Sequence, residues 1–256
     1  SCKSQSPEAE KQEEIELVVF AAASMTETMQ QVAELYKEVA PNVTIVYTFD
    51  SSGTLKTQIE EGADCDLFIS AAPKQMNQLD ITADTEANPD GLDFVLAGTR
   101  LNLLENKVVL VASDENPAGI TGFADITSDK LTMLCIGNED VPVGAYSLKI
   151  FDYLGTSAQE LEAEGKLTYG SNVKEVTTQV SEGLVDCGII YATDAFSAGL
   201  TPIEAATAEM CGQVIYPAAV LKITKNEAAA KAFLEFLQSD ACTAVFESVG
   251  FTALSN

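Results

Sequence analysis

Seven short apolar runs, "IELVVF", "VTIVYTF", "DLFIS", "KVVLVAS", "LTMLCIG", "CGIIYAT" and "VIYPAAVLK", alternate along this chain with amphipathic stretches of helical period. That alternation constrains the fold more than anything else in the sequence. Strands separated by helices build parallel sheets covered on both faces, an α/β architecture. With 256 residues, 46% of them hydrophobic, the chain fills one large core or two modest ones, so two lobes are expected. The opening "SCKSQSPEAEKQEE" is too polar to bury itself and reads as a flexible tether over residues 1–14, with structure starting near Ile15.

Several helices start directly after a strand. In "ASMTE", Ser24 with Glu27 three residues on forms a capping box, and Met25, Met29, Val32 and Tyr36 line one face of the helix behind it. In "FDSSGTLKTQIEEG", Ser52 is the predicted cap, Leu55 and Ile59 point inward, and Gly62 is the stop. "VPVGAYSLKIFDYLG" sets Pro142 and Val143 ahead of a helix that ends at Gly155. "SNVKEVTTQV" has Asn172 as cap with Glu175 behind it, and the two terminal helices are capped by Asn226 and Asp240 and stopped at Gly250. In open α/β sheets the crevice at the carboxyl ends of the strands receives ligands, so four such N-termini can converge there. Their unpaired amides and dipoles form an anion site without Lys or Arg, and the ligand it suits is a small oxyanion.

Charge and composition exclude several classes. With 14 Lys+Arg against 39 Asp+Glu and a net charge of −25, the chain lacks the basic surface that nucleic acid or an anionic membrane requires. It contains no histidine, which removes Ser-His-Asp and Cys-His catalysis and histidine metal sites. Ser171 and Lys174 form an S-x-x-K, the remaining serine/lysine hydrolase reading, without its S-D-N or K-T-G partners. Acid pairs such as Asp64 with Asp66 are expected on a solvated face. The six cysteines show no C-x-x-C; Cys135 and Cys187 sit inside apolar runs and read as buried free thiols. Cys2, beside Ser1 at the head of the tether, stands where a bacterial lipoprotein carries its lipid.

The segments "VFAAASMTETMQQVAELY", "FDSSGTLKTQIEEGADCDLFISA", "NEDVPVGAYSLKIF", "GSNVKEVTTQV", "CGIIYATDA", "YPAAVL" and "ESVGF" resemble the periplasmic molybdate-binding proteins of molybdate ABC transporters, from about Leu17 to Phe251. The resemblance implies a type II periplasmic binding protein: two doubly wound α/β lobes joined by two crossover segments, with the anion between them. Lobe one would take residues 15–112 and 203–256, lobe two residues 113–202, and "KVVLVAS" and "VIYPAAVL" would be the crossings. Matched motif by motif, the oxyanion ligands fall on Ser24, Ser52, Val143, Val173 and Tyr191, the last being the tyrosine of I-I-Y.

The implied function is extracytoplasmic capture of molybdate or tungstate by a monomer. The protein would sit in the periplasm or be lipid-tethered, with no further cofactor, and would hand its cargo to an ABC transporter permease rather than catalyse a reaction. Sulfate or another tetrahedral oxyanion is the alternative cargo, and iron binders of this architecture need paired tyrosines or acids where only Tyr191 stands. A donor-only lining would reject hydrogen phosphate, which keeps a proton. The chain departs from the family at Pro73, where many relatives have Asp, and in a longer acidic stretch near residues 81–103.

Overall fold

The computed structural model describes residues 12–254. The first lobe opens with β1 (Ile15–Ala22), α1 (Thr26–Val39), β2 (Val43–Asp50), α2 (Ser52–Glu60), β3 (Leu67–Ile69), α3 (Pro73–Asn77) and β4 (Leu101–Asn106). The chain then crosses at Lys107 into β5 (Val108–Val111), β6 (Leu134–Gly137), α4 (Pro142–Leu154), α5 (Ala158–Ala163), β7 (Leu167–Gly170), α6 (Val173–Ser181), β8 (Cys187–Tyr191), α7 (Ala192–Ala198), β9 (Glu204–Ala205) and α8 (Ala208–Cys211). It returns through β10 (Val214–Val220), α9 (Glu227–Phe236), α10 (Asp240–Ser248) and β11 (Thr252–Ala253).

Each lobe is built on one sheet, in the order β11-β4-β10-β3-β1-β2 and β7-β6-β8-β5-β9. The expected all-parallel sheets are corrected to mixed ones. β1 runs parallel to β2 and β3, and β6 parallel to β7 and β8, whereas β10, β11, β5 and β9 pair antiparallel. The antiparallel strands are those that enter, leave or close a lobe, where no crossover helix imposes direction. The lobe boundaries also move. β5 and β9 both pair in the second sheet, so the crossings lie at Lys107 and near Gly212, at the leading ends of "KVVLVAS" and "VIYPAAVL" instead of within them.

Burial on both faces explains why β1 reads as a continuous apolar run. Leu17, Val19 and Ala21 pack into a core with Met25, Met29, Val32 and Tyr36, while Phe20 points the other way against Leu55, Ile59 and Phe68. The expected inward faces of α1 and α2 are thus observed. β4 was not anticipated, because "LNLLEN" sits at the end of the acidic stretch and its strand pattern is masked by that context. The stretch itself is pinned by Arg100, whose guanidinium donates to Asp80 at 2.8 Å and to the Asn77 side-chain Oδ1 at 2.7 Å, and by the Asn88 side-chain amide, which donates to the backbone carbonyls of Asp80 and Leu92. Residues 1–11, including Cys2 and most of the expected tether, lie outside the described residues. The described cysteines, Cys65, Cys135, Cys187, Cys211 and Cys242, are free and buried. Burial pushes the Cys135 and Cys187 thiols up to about 12, so they stay protonated and inert.

Candidate functional site

The parallel strands end on one edge of each sheet, and the two edges face each other. β1 ends at Ala22, β2 at Asp50 and β3 at Ile69; across from them β6 ends at Gly137, β7 at Gly170 and β8 at Tyr191. Between them lies a small cavity of about 10 Å³ lined by Ala22, Ala23, Ser24, Ser51, Ser52, Ala71, Val141, Pro142, Val173 and Tyr191. None of these lining residues carries a charge. Four of the five expected ligand positions, Ser24, Ser52, Val173 and Tyr191, therefore meet at one point. Val143 is fully buried one residue beyond Pro142 and is not itself among the lining residues; its segment reaches the cavity through Val141 and Pro142.

The local roles of the serines differ from the capping expectation. Ser24 lies in a 3-10 turn, Ala23–Met25, and α1 starts after it with Met25 at the cap position and no side-chain cap. Its hydroxyl instead meets the Tyr216 hydroxyl at 2.7 Å, and Glu27 turns outward to Lys174. At α2 the cap is Ser51, which accepts from the Thr54 amide at 3.2 Å. Ser52 is thereby the first helical residue, and its Oγ accepts from the Ala71 amide at 2.9 Å, which leaves its own proton to donate. Asn172 does cap α6, accepting from the Glu175 amide at 2.9 Å. Of the terminal helices, α9 has no side-chain cap from Asn226, and Ser239 takes the cap assigned to Asp240.

Tyr191 carries the most informative atom of the site. It is 1% exposed, and its buried hydroxyl has no hydrogen-bond partner. Its ring packs edge-on against Tyr216 at 5.7 Å, and burial holds its hydroxyl pKa far above the ordinary value. A buried unpaired hydroxyl is costly unless something occupies the space it faces. First-turn amides of α2, α4 and α6 have no intrahelical acceptor and bring the positive ends of their helices to the same place.

Across the cleft the lobes also touch through α2 and α6. The Gly53 amide of α2 donates to the Asp140 carbonyl at 2.9 Å. Lys174 of α6 reaches Glu27 of α1 at 2.8 Å and the buried Asp194 of α7 at 3.1 Å. Among the described residues this is the ion pair that joins the lobes. The two residues of the S-x-x-K do not bond each other: Lys174 is engaged by carboxylates, and the Ser171 hydroxyl donates to Glu175 at 2.6 Å. Asp66, expected on a solvated face, is instead buried and accepts from the Val18 amide and the Thr224 hydroxyl. Sequence reasoning missed Asn106, Asp140, Asp194 and Tyr216. Asp140, Asp194 and Tyr216 stood in quoted motifs and Asn106 did not, but no local pattern marks any of them as a site residue.

A family model described as bacterial extracellular solute-binding protein matches residues 17–252. The chain is 32% identical to YvgL of Bacillus subtilis, a candidate ABC transporter substrate-binding lipoprotein, over 98% of this chain and 92% of that one. It is 33% identical to the molybdate-binding protein ModA of Escherichia coli, over 94% of this chain and 90% of that one. The periplasmic molybdate-binding protein of Azotobacter vinelandii, 22% identical, shares the fold with a TM-score of 0.79 over 94% of this chain and all of its own.

Proposed function

The chain belongs to the bacterial extracellular solute-binding protein family, and from that premise we propose that it captures molybdate or tungstate outside the cytoplasm and delivers it to an ABC transporter permease. The observation that carries this reading is the unpartnered, fully buried Tyr191 hydroxyl facing a cavity of uncharged donors. In it the anion accepts from the hydroxyls of Ser24, Ser52 and Tyr191 and from first-turn amides around Val143 and Val173. Each such bond to an ionised acceptor contributes roughly 1.5–3 kcal/mol.

A net charge of −25 does not oppose this. At physiological salt the Debye length is about 8 Å, so distant carboxylates are screened while donors touching the anion are not. The protein acts as a monomer, and Cys2 is its lipidation site, a reading supported by the lipoprotein name of the Bacillus relative; intact-mass spectrometry of membrane-extracted protein would show the added acyl chains.

The test of cargo is a thermal and calorimetric titration with molybdate, tungstate, sulfate and hydrogen phosphate. Molybdate and tungstate raise the melting temperature by RT ln(1 + [L]/Kd) expressed through the unfolding entropy, and sulfate at equal concentration does little. Equal shifts with sulfate would overturn the assignment.

A further inference from the structure

We propose that Asn106 and Tyr216 are positioning residues: a one-way hydrogen-bond relay from Asn106 through Tyr216 fixes Ser24 as a donor to the anion and so sets the site against oxyanions that keep a proton. The inference rests on the oxyanion reading of the cavity and names the residues that determine its selectivity.

The direction of the relay follows from which atoms can donate. The Lys107 backbone amide donates to the Asn106 side chain at 2.8 Å, and an amide N–H can only donate, so the atom facing it is Oδ1. Asn106 Nδ2 therefore points the other way, and its two protons go to Thr193 Oγ1 at 3.0 Å and to the Tyr216 hydroxyl at 3.1 Å. Tyr216 thus accepts from Asn106. The hydroxyl left to take the phenol's own proton is Ser24 Oγ at 2.7 Å. Were Ser24 the donor instead, two N–H and O–H groups would point at one phenol oxygen and its proton would be stranded in a dry core. Ser24 accordingly accepts from Tyr216 and turns its own proton toward the cavity it lines.

Burial makes the arrangement durable. Ser24 and Asn106 are each 4% exposed and Tyr216 is fully buried, so water does not compete for these bonds. Tyr216 is wedged edge-on between Tyr191 and Phe251, and burial holds its hydroxyl neutral. Successive donors in one direction polarise each other, which strengthens the last one. A fully ionised oxyanion meets donors only, while hydrogen phosphate or hydrogen arsenate would bring its proton against the proton of Ser24.

The test compares binding of molybdate and of hydrogen phosphate to wild type, Asn106→Asp, Tyr216→Phe and the double variant, with apo melting temperature as the check on folding. Aspartate keeps the bond from the Lys107 amide but has no proton to give, so Tyr216 turns to donate to it and Ser24 turns its lone pair to the cavity. Asn106→Asp is expected to weaken molybdate about 100-fold and to narrow the phosphate-to-molybdate Kd ratio by about tenfold or more. Tyr216→Phe, which adds no charge and keeps the ring packing, narrows the ratio as well, with a smaller loss of molybdate affinity. In the Tyr216→Phe background Asn106→Asp acts through charge alone, so its effect on molybdate falls well below 100-fold; that non-additivity is the signature of the relay. An equal effect of Asn106→Asp in both backgrounds, or an unmoved ratio in both single variants, overturns the relay and leaves the cavity reading intact. Wild type that binds no oxyanion overturns the cavity reading, and the relay with it.

Discussion

At the scale of single residues, the site separates groups that hold the fold from groups held ready for a ligand. Tyr191→Phe removes no bond within the protein, and on the proposed reading it removes a donor to the anion. Calorimetry should show molybdate affinity falling about tenfold or more while the apo melting temperature stays within a degree or rises. Ser24→Ala behaves differently: it costs no helix cap, because Ser24 does not cap α1, but it strands the Tyr216 proton. Asp194 is of the first kind. Burial pushes its carboxyl from 3.8 to about 6, against the pull of Lys174, with Glu27 and the neutral phenols of Tyr191 and Tyr216 nearby. Since its folded pKa lies above the unfolded one, its contribution to stability is fully present below about pH 4 and is lost as pH rises through about 6. The shift corresponds to at most about 3 kcal/mol. Urea unfolding of the apo protein at several pH values should show that this slope is present in wild type and absent in Asp194→Asn.

At the scale of elements, the strand-to-helix turns decide what reaches the cleft. α2 approaches the opposite lobe so closely that a Cβ on Gly53 would lie 2.6 Å from the Asp140 carbonyl oxygen and 2.7 Å from its Cα. Both are backbone atoms that cannot swing aside. Gly53→Ala should leave the apo fold and melting temperature near wild type yet weaken molybdate binding more than tenfold, with small-angle scattering showing a liganded state that stays open. These turns were only partly legible in the sequence. Asn172 was recognisable as a cap, because an Asx side chain bonding three residues ahead is a local event. At Ser24 the same pattern misled, because the chain first makes a 3-10 turn and Tyr216, from a distant strand, takes the hydroxyl. At the double serine, the choice between Ser51 and Ser52 was settled by the Ala71 amide arriving from β3 to occupy Ser52.

At the scale of the whole molecule, one cation bridges carboxylates of both lobes. Glu27 is half-exposed and Asp194 is buried, so Lys174 stays with Asp194 while its bond to Glu27 exists only when the lobes meet. Glu27→Gln should therefore leave the association rate of molybdate near wild type and speed dissociation roughly three- to tenfold, and stopped-flow kinetics should show that difference shrinking as salt is added. Equal dissociation rates at low salt would remove the bridge from the account of closure.

The sequence by itself determined seven of the strands and the main helices between them, which face of α1 and α2 turns inward, and that the chain divides into two α/β lobes, while β4 went unread. Those properties follow from the burial of apolar side chains at a fixed period along a few consecutive residues. The tertiary structure decided the rest: where the chain crosses between lobes, which strands run antiparallel, and which way each proton points in the cavity. Ser24 meets Tyr216 across 192 residues and Asn106 meets Tyr216 across 110. A hydrogen bond's direction depends on every atom around it in space, and no periodicity along the chain records that.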